Sequence, residues 1–475
     1  MYMSNPGHKK MIFRSGLLVV VLTSSVVGDL PVHCELTDVL GDWRLTYGRD
    51  PIDSPGICKP DSGMNPLNIG ALSTVVSLTR MFDRSSVSSS DVVLPFVAYN
   101  GLTSQGGSWS TIYDEGVVVQ IKDQSGSDRL VFYGHFGFSL LDTPAKTGAA
   151  AIAPSPRGPA VSYCNIIPRG WVLRISPSGG VSVHCFSATR VSRLLPPESR
   201  DAPITPPTSL RLVVPDKLPN SYRIPNWDFP RQSASASQGS CGSCYVLSYA
   251  YALERVAVNR LKQFGINPPS PFWELDRDAI LACSVANQGC SGGFYSSLTL
   301  DLVHLGAPVG KCMQPSSALS GTAPACDLQC YADTNKLIFT RGYTELRTHD
   351  EIIYYLLNSG PVPVGIYMAS EHHNALRGSV GGGIIELPTI PLSPGMDKLN
   401  HGIVIVGWGT DETSSKPFWE IYNPWGGDDT FAKVSRNPAD GVAERNAIGI
   451  KVDTCRGLLG SKIREAGKES PRDCN

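Results

Sequence analysis

The chain is poor in charge. Of its 475 residues only 17% are Asp, Glu, Lys or Arg, and the two signs cancel to a formal net charge of −1 at pH 7. No block of like charges occurs, so the basic footprint that nucleic acid requires is missing, as is any polybasic or acidic tail. Long apolar runs are missing too. The N-terminal stretch Leu17-Leu18-Val19-Val20-Val21-Leu22 is too short to span a bilayer. No Asn-x-Ser/Thr triplet occurs, which excludes N-glycosylation. Cys241 and Cys244 form a C-x-x-C pair without a second such pair or a thioredoxin-like βαβ setting. A zinc or redox role for that pair therefore has no support, and no metal site is expected.

Cysteine, by contrast, is plentiful, with thirteen in the chain. Lys9, Lys10 and Arg14 precede the short apolar run, and small residues follow it to Gly28. This is the layout of a secretory signal peptide at 1–28, with Val26 at −3 and Gly28 at −1 of the cleavage site. A retained signal anchor is the alternative. Cleavage there leaves Asp29 as the new N-terminus. Cysteines in a secretory-pathway protein imply disulfides, and the odd total leaves one over, for which Cys244 is the natural candidate.

The length suits two or three domains. From 29 to 190 the chain reads as all-β: Val117 to Ile121, Arg129 to Phe138 and Trp171 to Ile175 are β-rich runs separated by Gly-Ser turn material. Residues 191–217 are Pro-rich and read as a linker or a reduced propeptide. A second domain is expected over 218–454, followed by a C-terminal tail over 455–475.

The second domain carries the chemistry. Gln238-Gly239-Ser240-Cys241-Gly242-Ser243-Cys244-Tyr245 runs into Val246, Ala250, Leu253, Ala257 and Leu261, an apolar series at helical spacing. Such a pattern puts Cys244 at a helix N-terminus, where partial positive charge favours the thiolate, the form that attacks carbonyl carbon. Gly242 permits a tight turn into the helix, and the Gln238 amide offers an N–H donor to a developing oxyanion. Downstream, Asn400-His401-Gly402 opens the apolar run Ile403 to Gly409, which reads as a buried strand. Phe418 to Tyr422 reads as another strand, delivering Asn423-Pro424-Trp425-Gly426. A single histidine beside a strand is ordinary; the combination with Cys244, Asn423 and Gln238 is not.

The segment Cys241-Gly242-Ser243-Cys244-Tyr245 resembles the C-G-[SA]-C-[WY] signature of the papain family of cysteine proteases. The resemblance implies a two-lobed α+β domain with its active site in the cleft between lobes. It makes Cys244 the nucleophile, His401 the base and acid, Asn423 the group that orients the imidazole, and Gln238 the oxyanion donor. Trp425 would shield the His401–Asn423 hydrogen bond, and Gly292 and Gly293 would border the substrate. It further implies the disulfides Cys241–Cys290 and Cys283–Cys326, with Cys312 and Cys330 paired locally; Cys455 and Cys474 are then left over and can pair with each other across the C-terminal tail. The chain departs from the family in having Pro424 after Asn423 and a shortened stretch from Gly427 to Phe431. His401 also lies 157 residues beyond Cys244, which an insertion around 378–398 accounts for.

The first domain narrows the resemblance. Asp29-Leu30-Pro31-Val32-His33-Cys34, Ser162-Tyr163-Cys164-Asn165 and Val183-His184-Cys185-Phe186 are similar to the exclusion domain of the cathepsin C (dipeptidyl peptidase I) branch. That likeness implies a β-barrel that blocks one end of the cleft, the disulfides Cys34–Cys164 and Cys58–Cys185, and an Asp29 carboxylate that receives a substrate's free α-ammonium group. The expected function is a dipeptidyl aminopeptidase acting on peptides and proteins with free N-termini. The alternatives are a papain-like endopeptidase with an N-terminal regulatory domain and a non-catalytic binding protein on the same scaffold. No nucleic acid or, after signal cleavage, membrane partner is expected. The branch implies a homotetramer and an acidic lysosome-like or secreted location. It needs no cofactor but holds a chloride near a tyrosine that follows Gly-Gly-Phe-Pro. Here the order is Gly292-Gly293-Phe294-Tyr295, one position displaced.

Overall fold

A computed structural model of the chain describes residues 34, 36–52, 58, 72–82, 96–100, 106–112, 115–140, 160–192, 217–223, 238–267, 273–313, 321–367, 376, 383–386, 399–425, 431–436 and 447–468. The expected signal peptide, Asp29, most of the Pro-rich linker and most of 378–398 lie outside the described residues.

The N-terminal region is a closed antiparallel barrel. Its strands are β1 (Gly41–Tyr47), β2 (Leu72–Phe82), β3 (Phe96–Asn100), β4 (Gly106–Ile112), β5 (Gly116–Lys122), β6 (Arg129–His135), β9 (Ile166–Ile175) and β10 (Val181–Ser192). They close in the order β1-β10-β9-β6-β5-β4-β3-β2, which leaves the barrel itself no open edge. A side hairpin, β7 (Gly137–Leu140) with β8 (Ala160–Tyr163), stands apart from it. Alternation along each strand sorts side chains by face. In β1, Trp43, Leu45 and Tyr47 are buried while Arg44 is exposed. The buried indole N–H groups find acceptors, Trp43 Nε1 on the Val39 carbonyl at 2.7 Å and Trp109 Nε1 on the Thr79 carbonyl at 2.8 Å.

The unbroken apolar run at Val117 to Ile121 has a specific cause: both of its faces are covered. Val117, Val119 and Ile121, with Leu130 and Phe132 of β6, point into the barrel core. Val118, Val131 and Tyr133, with Trp171 and Leu173 of β9, face outward into a second core shared with Ala279, Cys283, Leu300, Leu305 and Phe339 of the C-terminal region. The Tyr133 hydroxyl donates to the Leu300 carbonyl at 3.1 Å within that shared core. Each large apolar side chain fully buried here contributes roughly 1.5–3 kcal/mol. The barrel is therefore docked on the C-terminal region through a common core.

The C-terminal region is built on a buried helix, α1 (Cys244–Gln263), which packs against a six-stranded sheet. Strands β11 (Tyr222–Arg223), β15 (Val362–Ile366), β16 (Ile384–Ile385), β17 (His401–Thr410), β18 (Pro417–Tyr422) and β19 (Phe431–Ser435) make that sheet, with β17 central. Smaller pairs are β12 (Ala307–Pro308) with β13 (Leu337–Ile338) and β14 (Thr340–Glu345) with β20 (Ile448–Val452). Further helices are α2 (Arg277–Cys283), α3 (Tyr295–His304), α4 (His349–Asn358) and α5 (Gly457–Glu465). Tyr245, Val246, Tyr249, Ala250 and Leu253 of α1 pack on Val404, Val406, Ile448 and Ile450. The start of α4 is fixed by a capping box between Thr348 and Glu351.

Helix α1 is buried on nearly all sides, charged residues included, because those residues are paired. Glu254 accepts from the Leu275 N–H at 3.0 Å and from Arg277 Nη2 at 2.9 Å, while Arg255 lies over the Tyr251 ring. The C-terminal segment does not trail away as a tail: Leu459 and Ile463 of α5 are fully buried in the α1 core.

Among the described residues, disulfides join Cys34–Cys164, Cys58–Cys185, Cys241–Cys290, Cys283–Cys326 and Cys312–Cys330. These are pairings that the family resemblance implied. Cys455 is also disulfide-bonded, while Cys474 lies outside the described residues. Cys244 is a free thiol.

Candidate active site

Cys244 is the first residue of α1, where backbone N–H groups lack intrahelical acceptors. Ser243, at the N-cap, makes no side-chain cap bond, so this helix end is not closed by its own sequence. The turn leading into it is held by three contacts. Cys241 N–H donates to the Gln238 carbonyl at 3.2 Å, Gly242 N–H donates to the Cys290 carbonyl at 2.8 Å, and Cys241 is disulfide-bonded to Cys290. Gly242 serves close approach rather than a left-handed turn: a Cβ there would lie 2.6 Å from the Cys290 carbonyl oxygen. The left-handed residue of the turn is Gly239, with φ of 58°.

The thiol is 3% exposed. Burial pushes it up to about 11, against the opposing pull of the Gly402, Tyr245 and Cys244 backbone N–H groups. The helix terminus alone therefore does not produce a thiolate at neutral pH. The strand that brings Gly402 to this thiol also carries a histidine.

His401 opens β17, only 7% exposed, and its Nε2 is 2.9 Å from Asn423 Oδ1. An amide oxygen only accepts, so Nε2 carries the hydrogen and Nδ1 keeps a lone pair for proton transfer. Asn423 is completely buried after the end of β18, and Trp425 covers the imidazole with ring centroids 5.0 Å apart. Gly402, next to His401, ties this strand to α1. Its N–H bonds the Cys244 sulfur, and its carbonyl accepts from Ser248 Oγ at 2.9 Å. These contacts bring Cys244, His401 and Asn423 into one constellation from positions far apart in sequence.

Gln238 is 8% exposed and is held at both backbone ends, donating to the Pro424 carbonyl at 3.1 Å and accepting from Cys241 N–H. Pro424, a departure from the family pattern, has no N–H to give, yet its carbonyl links the Asn423 loop to Gln238. On the other side, a Cβ on Gly242 would come within 3.3 Å of the Gly292 nitrogen, so Gly292 borders the turn that leads into Cys244. Gly292 has φ of 116°, which favours glycine. At Gly293 a Cβ would strike Asn287 Oδ1, which accepts from Phe294 N–H at 2.7 Å. Asp29 lies outside the described residues. Among the described residues, no cluster of His, Cys, Asp or Glu suits a metal ion. Asn287 and Ser248 are contributors that the sequence offered no periodic or motif signal to find, while Tyr295 stood out there only as a tyrosine displaced by one position from the family motif. The Tyr295 hydroxyl faces the carbonyl oxygens of Val364 and Ile403 at 3.3 and 3.4 Å. Carbonyl oxygens repel an anion, so this tyrosine's surroundings do not fit chloride.

A buried thiol, an imidazole with one nitrogen anchored, and an amide in a turn beside them are the parts of an acyl-transfer site. Residues 226–453 match the family model described as papain family cysteine protease. Similar proteins include cathepsin C of Schistosoma mansoni, 23% identical over 232 residues, or 46% of this chain and 47% of that protein. Cathepsin S of Rattus norvegicus is 30% identical over 210 residues, 42% of this chain and 56% of that one. The chain thus spans about half the length of these relatives. Among solved structures, digestive procathepsin L 3 of Tenebrio molitor larval midgut is 22% identical, with a TM-score of 0.36 over 50% of this chain and 72% of that one. The match to the papain family cysteine proteases thus spans residues 226–453, a stretch that contains Cys244, His401 and Asn423.

Proposed function

We propose that the chain is a cysteine-type dipeptidyl aminopeptidase in which Cys244, His401, Asn423 and Gln238 carry the reaction. His401 Nδ1 takes the Cys244 proton as the sulfur attacks the scissile carbonyl. The carbonyl oxygen becomes an oxyanion, held by the Cys244 N–H and the Gln238 side-chain amide. Collapse of the adduct breaks the C–N bond, and the imidazolium gives its proton to the leaving amine. Water, deprotonated by His401, then cleaves the thioester and restores the thiol. Asn423 Oδ1 keeps the imidazole in the tautomer this sequence of transfers needs. The observation that carries the chemistry is the 2.9 Å His401–Asn423 bond on a strand whose next residue donates to the Cys244 sulfur.

The dipeptidyl specificity draws its support from the barrel. It is docked by a shared core onto α2 and α3, the latter beginning just after Gly292 and Gly293. A rigid neighbour on that lobe suits an exclusion domain that limits substrate length. Asp29 would then bind the free α-ammonium group, a charge-assisted hydrogen bond of roughly 1.5–3 kcal/mol. The disulfides suit an oxidising compartment of the secretory pathway, lysosome-like or extracellular.

An endopeptidase is the second reading, favoured by the similarity to cathepsin S. Paired reporters decide between them. Free-amine dipeptide amides should be cleaved and their N-acetylated forms spared, with Asp29→Ala raising KM for the free-amine reporter. Equal cleavage of both forms, or cleavage inside N-terminally blocked peptides, assigns the endopeptidase instead.

A further inference from the structure

The residue after the Gly-Gly-Phe run is a tyrosine that touches both α1, which carries Cys244, and β17, which carries His401. Tyr295, first residue of α3, is 3% exposed, and its ring lies against Tyr249 of α1 with centroids 6.3 Å apart. Its hydroxyl reaches the Val364 carbonyl on β15 and the Ile403 carbonyl on β17, residues that are register partners across the two strands. A Cβ on Gly402 would fall on this hydroxyl, so Gly402 is bare where Tyr295 approaches. Ser248, one helical turn along α1 from Cys244, bonds the Gly402 carbonyl at 2.9 Å and also reaches the Tyr295 oxygen.

We propose that Tyr295 and Ser248 act as a pair of positioning residues that set the Gly402 backbone, and with it His401, against the Cys244 sulfur. The reasoning is geometric. Gly402 has no side chain with which to hold its place, yet its N–H serves the thiol and the residue before it is the base. Its carbonyl is restrained by Ser248 from α1, and the adjoining strand pair is restrained by Tyr295 from α3. Loss of either hydroxyl lets β17 relax relative to α1. The N–H donor to sulfur and the imidazole then move together, and proton transfer from the thiol becomes less favourable.

This inference rests on the cysteine-protease reading, so its test avoids turnover. The measurement is the rate of Cys244 alkylation by iodoacetamide against pH, on the full chain, for wild type, Tyr295→Phe, Ser248→Ala and the double variant. Loss of one hydrogen bond is worth about a fivefold fall in alkylation rate at neutral pH. Each single variant should show that fall and a profile displaced to higher pH, and the double variant should lose less than the product of the two. Thermal unfolding midpoints checked alongside exclude simple misfolding; Ser248→Thr, which keeps the hydroxyl, should restore the wild-type profile. Profiles that superimpose on wild type in folded Tyr295→Phe and Ser248→Ala overturn the positioning role while leaving the protease reading intact. A wild-type thiol that ionises only near its buried value refutes the Cys244–His401 ion pair, and the positioning role with it.

Discussion

Asn423→Ala tests the site most directly, because it removes a group that touches no substrate. In the wild type, Asn423 Oδ1 accepts from His401 Nε2 at 2.9 Å in a spot where Asn423 is fully buried and His401 is 7% exposed. Trp425 covers the same bond, so water is poorly placed to replace the lost acceptor. A buried donor left unsatisfied costs about 1–3 kcal/mol. The imidazole can avoid that cost by turning, or by moving its hydrogen to Nδ1, and both remove the lone pair that receives the Cys244 proton. At about 1.4 kcal/mol per factor of ten, kcat should fall roughly 5- to 150-fold. KM should change little, since the asparagine lies behind the imidazole. Steady-state kinetics on a free-amine dipeptide reporter, read with a thermal melt to verify folding, give both numbers. A folded Asn423→Ala protein with kcat within twofold of wild type would refute the role given to Asn423 and, with it, the inferred Nε2–H tautomer.

Other expectations follow from named contacts. Cys244→Ser should abolish turnover while leaving the thermal midpoint within a few degrees, and surviving activity would remove Cys244 as the nucleophile. Gly242→Ala places a Cβ 2.6 Å from the Cys290 carbonyl, so it should cost about 1–3 kcal/mol in denaturant unfolding and slow Cys244 alkylation; unchanged values would show that the turn has slack. Asp301 is buried, and desolvation raises its carboxyl to about 7 despite hydrogen bonds from Ser284 and Ala286. Its folded form thus keeps a proton that the unfolded chain releases above its ordinary value of 3.8. The resulting stability is fully present at low pH and lost as pH rises toward 7, by on the order of 3–4 kcal/mol. Urea unfolding at pH 4.5 and 7 should show Asp301→Asn less sensitive to that change than wild type, and equal sensitivity would contradict the assignment. Finally, Tyr133→Phe removes the hydroxyl bonded to the Leu300 carbonyl across the barrel interface, which should lower stability by about 0.5–1.5 kcal/mol without altering KM.

The candidate site's side chains were legible because chemistry restricts which residue types suit such a site and because each sits in a strong local pattern. Cys244 begins an apolar helical repeat, and His401 and Asn423 each border a run of strand-forming residues. Gly242 was legible as a required glycine, but for the wrong reason: its constraint is the Cys290 carbonyl, brought near by a segment 48 residues away. The supporting groups were not legible at all. Ser248 looks like one more small residue in a helix, and Tyr295 like a misplaced family tyrosine. The C-terminal helix was missed because Gly457-Leu458-Leu459-Gly460 gives little helical signal, and it is Leu459 and Ile463 meeting the α1 core that stabilise it.

Local order and the candidate residues were thus written in the sequence: a cysteine at a helix start, a histidine and an asparagine at strand ends, and an all-β region before them. Period-2 alternation says which residues share a face, but not which strand lies alongside. Hence the closure of β1 onto both β2 and β10 came from the fold, as did the covering of Val118, Val131 and Tyr133 by α2 and α3. The same holds at the active site. How firmly His401 faces Cys244 depends on contacts among α1, α3, β15 and β17, and such contacts exist once the chain has packed, because no local pattern in any one of these segments encodes the others.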